Sequence, residues 1–176
     1  KERLVALVVL MKLTGDKEIT KKISSSPVFT KENVKSIFMQ ATTSKDDEGS
    51  MLLKLIRNVA DTNPSLVEGF DDAIIEAADK NRRQYDNLIN IIAVVNRSTI
   101  DSPRSKFFIS QSSFVSLIIS TLQDQKAPAQ LHLEIVMLVS SLILFKKPAK
   151  VLAKNDIVNL IIAVFNRNKD ELDIQA

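Results

Sequence analysis

Cysteine is absent from this 176-residue chain, and histidine and tyrosine occur once each. Without a thiol there is no disulfide framework, no Cys-bearing zinc site and no cysteine nucleophile. A single imidazole excludes every site that needs two, the His-Glu-x-x-His zinc proteases among them. Glycine occurs only as Gly15, Gly49 and Gly69, too far apart for a P-loop or a dinucleotide-binding turn. Tryptophan is missing, so the aromatic platforms on which nucleic-acid binders stack bases are scarce. Charge of one sign is also scarce. The 24 Lys+Arg and 21 Asp+Glu leave a net +3, and a pI near 9.1 reflects cations spread along the chain. The longest wholly apolar run, Leu4 to Met11, is eight residues. A bilayer span needs about 20, and no cleavable small-residue site follows the run. The expectation is a non-enzymatic module with no catalytic residues, cofactor, metal, small-molecule substrate, nucleic-acid partner or membrane insertion. The absence of cysteine and of an export signal points to the cytoplasm. The chain opens Lys-Glu-Arg without an initiator Met and closes as a new amphipathic segment starts. It is therefore expected to be a piece of a longer protein.

What the chain does contain is a 45% apolar composition arranged at helical spacing. That is too apolar for disorder, and the length suffices for one domain with a core of its own. Leu52, Leu55, Ile56 and Val59 form one stripe. Leu88, Ile91, Ile92 and Val95 form a second, Val115, Leu117, Ile118 and Leu122 a third, and Val158, Ile161, Ile162 and Phe165 a fourth. No period-2 alternation is sustained and no Asn-Gly or Asp-Gly hairpin turn occurs. Helix starts are expected at Thr30, at Asn63-Pro64, at Ser102-Pro103 and at Ser113. The spacing predicts an all-α chain of about ten to twelve helices. The polar stretches at 42–50 and 121–130 read as interhelical loops.

The sequence also repeats itself. "SSFVSLIISTL" at 112–122 matches "NDIVNLIIAVF" at 155–165, an offset of 43 residues. A second series, anchored at Leu13, Val59, Val95 and Leu142, is spaced by 46, 36 and 47. This period falls in the armadillo/HEAT range of roughly 40–47 residues. The expected architecture is an α-solenoid of about four repeats, at roughly 1–47, 48–83, 84–126 and 127–176. Each would carry a short helix, a middle helix and a long third helix that is apolar on most faces. The turns Gln111-Ser112-Ser113 and Lys154-Asn155-Asp156 would join short to middle helix, with Asn, Asp or Ser supplying a cap or a left-handed residue.

Residues 134–175, with "EIVM", "VLAKNDIV" and "KDELDIQ", resemble the late armadillo repeats of the kinesin-associated protein family, the non-motor accessory subunits of heterotrimeric kinesin-2. "LLKLIRNVAD" (52–61) and "VVNRSTID" (94–101) resemble earlier segments of that family in the same order. Together the likeness spans about residues 50 to 175. Asp156 stands where armadillo turns usually carry Gly, and Asn159 where the middle helix often has Pro. The resemblance implies a right-handed superhelix without enzymatic activity. It also implies a scaffold that joins motor tails to cargo adaptors, placed in the cytoplasm at the cytoskeleton or cilium. Two other readings stay open: a nucleocytoplasmic carrier-like armadillo protein, and a HEAT-like regulator of a small GTPase or phosphatase.

In armadillo proteins third helices line a groove where an Asn clamps an extended ligand. That register falls here on Lys12, Asn58, Val94 and Ser141, so the Asn/Trp ladder of nuclear-import carriers is missing. One turn to either side lie Lys54, Asn90 and Met137, and Asp61, Arg97 and Leu144. This mixed polar face suits a protein segment, and it equally suits solvent. Lys54, Asn58, Asp61, Asn90 and Arg97 are thus candidate protein-binding residues. Lys146, Lys150 and Lys154 are candidates too, because spacing by four places them in one row on a short helix. That row reads as a solvated face or as a docking strip for an acidic surface. His132 is expected to be partly exposed or capping. Glu134, two residues on, lies on another helical face and cannot share a metal with it. Asp46-Asp47-Glu48 and Asp71-Asp72 are expected at helix starts, where carboxylates favour the helix dipole.

Overall fold

A side-chain acceptor ahead of an apolar period opens three of the helices. Asp16 Oδ1 accepts from the Ile19 amide at 3.0 Å, Thr30 Oγ1 from Asn33 at 3.2 Å and Asp101 Oδ1 from Arg104 at 2.8 Å. The computed structural model describes residues 2–44, 47–98 and 100–169. Among these it is all-helical, with eleven α-helices and one 3-10 turn and no strand. No helix among the described residues is long and apolar enough to cross a membrane. Packing divides the chain into two compact units, residues 1–99 and 100–176.

The first unit holds α1 (Glu2–Leu13), α2 (Lys17–Ser24), α3 (Lys31–Thr43), α4 (Asp47–Thr62), the 3-10 turn Pro64–Val67, α5 (Asp71–Lys80) and α6 (Tyr85–Arg97). Helix α4 is its centre and packs on α1, α2, α3 and α6, while α3 also packs on α5. Phe38, Leu53, Ile56, Val59, Phe70 and Ile74 are buried between them, with the Phe38 and Phe70 rings 6.2 Å apart. In α6 every residue from Asn87 to Val95 is buried. The tight corner between α3 and α4 depends on Gly49. A Cβ there would lie 2.7 Å from the Ala41 carbonyl and 2.8 Å from Ser44 Cβ.

The second unit holds α7 (Ser102–Ser110), α8 (Ser112–Gln123), α9 (Ala129–Leu142), α10 (Lys146–Lys154) and α11 (Ile157–Arg167). Helix α8 packs on α7, α9 and α11, and α10 packs on α7 and α11. Phe108 and Phe114, with centroids 5.1 Å apart, anchor a core of Leu117, Ile118, Leu122 and Leu152. Asp156, between α10 and α11, has φ 56° and ψ 32°. The left-handed residue expected in this turn is therefore present without glycine. Its carboxylate offsets part of the backbone cost by accepting from Asn159 Nδ2 at 2.7 Å.

Several sequence expectations need correction. The cap of α7 is Asp101, not Ser102, and α8 begins at Ser112 behind Gln111 rather than at Ser113. Asn63-Pro64 opens only the short 3-10 turn. The polar stretch 42–50 is mostly helix, because α3 runs through Thr43 and α4 starts at Asp47; Asp46 lies outside the described residues. The loop expected at 121–130 narrows to 124–128. The first three apolar stripes are buried, Leu52 excepted as half-buried. The fourth is not: Val158, Ile162 and Phe165 are 62%, 51% and 43% exposed, and Ile157 and Val164 point inward instead. Val115 of α8, the counterpart of Val158, is covered, and among the described residues α8 packs closely on three helices, α7, α9 and α11, where α11 packs closely on α8 and α10.

Candidate protein-binding surfaces

Helix α4 carries Lys54, Asn58 and Asp61 at spacings of four and three, on one side of the helix. Lys54 and Asp61 are exposed and Asn58 is half-buried. The corner between α1 and α2 meets this side. Asn58 Nδ2 donates to Thr14 Oγ1 at 3.1 Å, Thr14 Oγ1 donates to the Met11 carbonyl at 3.1 Å, and Thr20 Oγ1 donates to the Thr14 carbonyl at 3.0 Å. From α6, Arg97 Nε reaches Asp61 Oδ1 at 3.5 Å, and Arg97 also donates to the Ala93 carbonyl at 3.1 Å. Thr14, Arg57, Asn58, Asp61, Thr62 and Arg97 thus line a cleft of about 140 Å³ within the first unit. Its rim is hydrogen-bonding and bears more positive than negative charge. Among the described residues Asn58 Oδ1 accepts no hydrogen bond, so the amide keeps an acceptor to offer.

The structure therefore brings Asn58, Asp61 and Arg97 together and leaves Lys54 one turn outside. Asn90 does not belong on an open face. It is 6% exposed, accepts from Arg57 at 3.3 Å and donates to the Asp86 carbonyl at 2.9 Å. It steadies Arg57, which lines the cleft. Val94, the groove position of α6, is fully buried as well. Sequence reasoning missed Thr14 and Arg57. Arg57 stands four residues before Asp61, which was a usable signal. The approach of Thr14 to Asn58, 44 residues away, had none.

Lys146, Lys150 and Lys154 all lie within α10, and all three are exposed. Asp47 and Glu48 open α4, and Asp71 and Asp72 open α5. Among the described residues no group of three His, Asp or Glu could hold a metal.

His132 is not exposed. It is fully buried, and its Nε2 lies 3.1 Å from the Thr121 carbonyl and 3.2 Å from that of Asp124. Asn168 Nδ2 meets Nδ1 at 3.2 Å and also donates to the Val164 carbonyl at 2.9 Å. Two carbonyls at one nitrogen and an amide donor at the other select the neutral ring with its proton on Nε2. The ring caps the end of α8 rather than its own helix. Desolvation by burial, aided by the Arg167 charge, holds its pKa below the usual 6.5, against the pull of the two carbonyls.

The chain matches no protein-family model, no curated protein and no solved structure.

Proposed function

We propose that this chain is a non-enzymatic protein-binding scaffold of armadillo-like helix triplets, resembling the kinesin-2 accessory subunit. One observation carries the reading: like helices stack on like. In the first unit the long helices α1, α4 and α6 pack in succession and the middle helices α3 and α5 pack together. In the second, short α7 packs on short α10 and middle α8 on middle α11. That is how repeats of a solenoid bury faces they cannot bury alone. About four such repeats in a right-handed superhelix is the proposed arrangement, and the cytoplasm, at the cytoskeleton or cilium, the proposed location. The boundaries after residues 83 and 126 fall in interhelical loops, and that after 47 falls just inside α4. The cleft at Asn58, Asp61 and Arg97 is the proposed seat for an extended partner segment.

The test is calorimetric titration of the chain with purified tails of the two kinesin-2 motor chains. Binding that a Lys54→Ala, Asp61→Ala double variant weakens would support the reading. Asn58→Ala is a poorer probe, because losing its bond to Thr14 costs about 1 kcal/mol of stability. Binding of importin β or a small GTPase in place of the tails would favour a carrier or a HEAT-like regulator.

A further inference from the structure

We propose that a second site, a lysine-lined cleft in the second unit, binds an acidic peptide segment with an apolar residue among its carboxylates. The cleft measures about 480 Å³ and is lined by Ser102, Lys106, Phe145, Lys146, Lys147 and Lys150. Its four lysines come from two helices, α7 and α10, and all are exposed. None forms an ion pair with a described residue. No acidic residue occurs between Glu134 and Asp156. Asp101, beside Ser102, is engaged in capping α7 through Arg104.

The first turn of α10 adds to this field. Phe145 occupies its cap position and offers no side-chain acceptor, and Pro148 has no amide hydrogen. The first amides of α10 thus receive no side-chain cap bond from Phe145 at the positive end of the helix dipole. Like charges four apart repel, so local stability does not account for the grouping.

The dimensions favour a segment over a single oxyanion. Lys146 and Lys150 are separated by about 6 Å of helix rise. Carboxylates at alternate positions of an extended peptide lie about 6.6 Å apart, on one side. Half-buried Phe145 gives the lysine-lined cleft an apolar wall, so one apolar side chain in the segment has a place to rest. Lysine acts as a point charge and suits carboxylates without demanding a fixed fork geometry. The inference rests on reading the chain as a scaffold. Its test uses no motor tail, however, so either proposal can fail alone.

The probe is a fluorescein-labelled peptide with alternating glutamates and one leucine, followed by anisotropy with the full chain. Lys106→Glu alone, and Lys146→Glu with Lys150→Glu, are each expected to weaken binding by about tenfold or more. Affinity should fall as salt brings the screening length to about 8 Å. Lys154→Glu, in the same helical row but outside the cleft, should weaken binding less than either of these, and Lys126→Glu should stay within about twofold of the parent. Circular dichroism checks each variant; should the double variant unfold, Lys106→Glu decides by itself. The proposal is overturned if Lys106→Glu binds like the parent or if all lysine changes weaken binding equally. It is likewise overturned if a peptide with serine for leucine binds as well, or if inorganic phosphate or a single-stranded oligonucleotide displaces the peptide at equal concentration.

Discussion

His132 shows how one side chain can make a folded state sensitive to acid. The neutral ring satisfies both its nitrogens, whereas a second proton on Nδ1 would face the Asn168 amide hydrogens. Turning the Asn168 amide to accept that proton would lose its bond to Val164. Because the folded pKa lies below the ordinary 6.5, the unfolded chain binds more protons in the window beneath 6.5. Stability is thus full above about 6.5 and is lost as pH falls toward the folded value, at up to about 1.4 kcal/mol per pH unit. Urea titrations at pH 7.5 and 5.5 should show this loss. His132→Gln, which keeps a donor and an acceptor but cannot titrate, should be less stable at pH 7.5 yet nearly flat between the two. An unchanged slope in that variant would place the titration in another group. None of this was legible in "QLHLEI". The sequence puts His132 between two leucines, and only the return of Asn168 and the end of α8 decides that the ring is covered.

At the scale of elements the sequence was more informative, because helix type depends on local periodicity and most packed faces follow from it. Leu88, Ile91, Ile92 and Val95 are all fully buried, as their spacing in α6 indicates. Where the reading failed, the deciding partner was distant. Val115 and Val158 occupy matching places in two similar helices, yet neighbours cover only the first. The candidate cleft was partly legible: Asn58 and Asp61 share a helical side by spacing, but the burial of Asn90 depends on the packing of α6. The turn between α10 and α11 yields a prediction of its own. A β-branched residue pays the left-handed backbone cost in full, so Asp156→Val should destabilise by about 1–2 kcal/mol. Asp156→Gly removes the strain but frees the unfolded chain and loses the bond to Asn159, so it should fall within about 1 kcal/mol of the parent. Denaturant midpoints of the three proteins check the order. Equal midpoints for Val and Gly would mean that Asp156 does not hold φ 56° in solution.

At the scale of the whole molecule, two helices carry apolar rows that nothing described covers. In α1 these are Val5, Val9 and Leu13, exposed by 63%, 49% and 39%; in α11 they are Val158, Ile162 and Phe165. Each row runs along one helical side. Such patches rarely stay bare on a monomer in water. The two rows differ in sequence, so a bond between one copy's α11 and another's α1 leaves a free row on each copy. Unlike a two-fold pairing, that contact need not close. If α11 of one copy covers α1 of the next, the expected result is open-ended association. Average mass from light scattering should keep climbing with concentration rather than level off at twice the chain mass. Ile162→Glu or Val9→Glu alone should stop it, since removing either kind of end terminates growth. A plateau at the dimer would mean that α11 meets α11, or α1 meets α1.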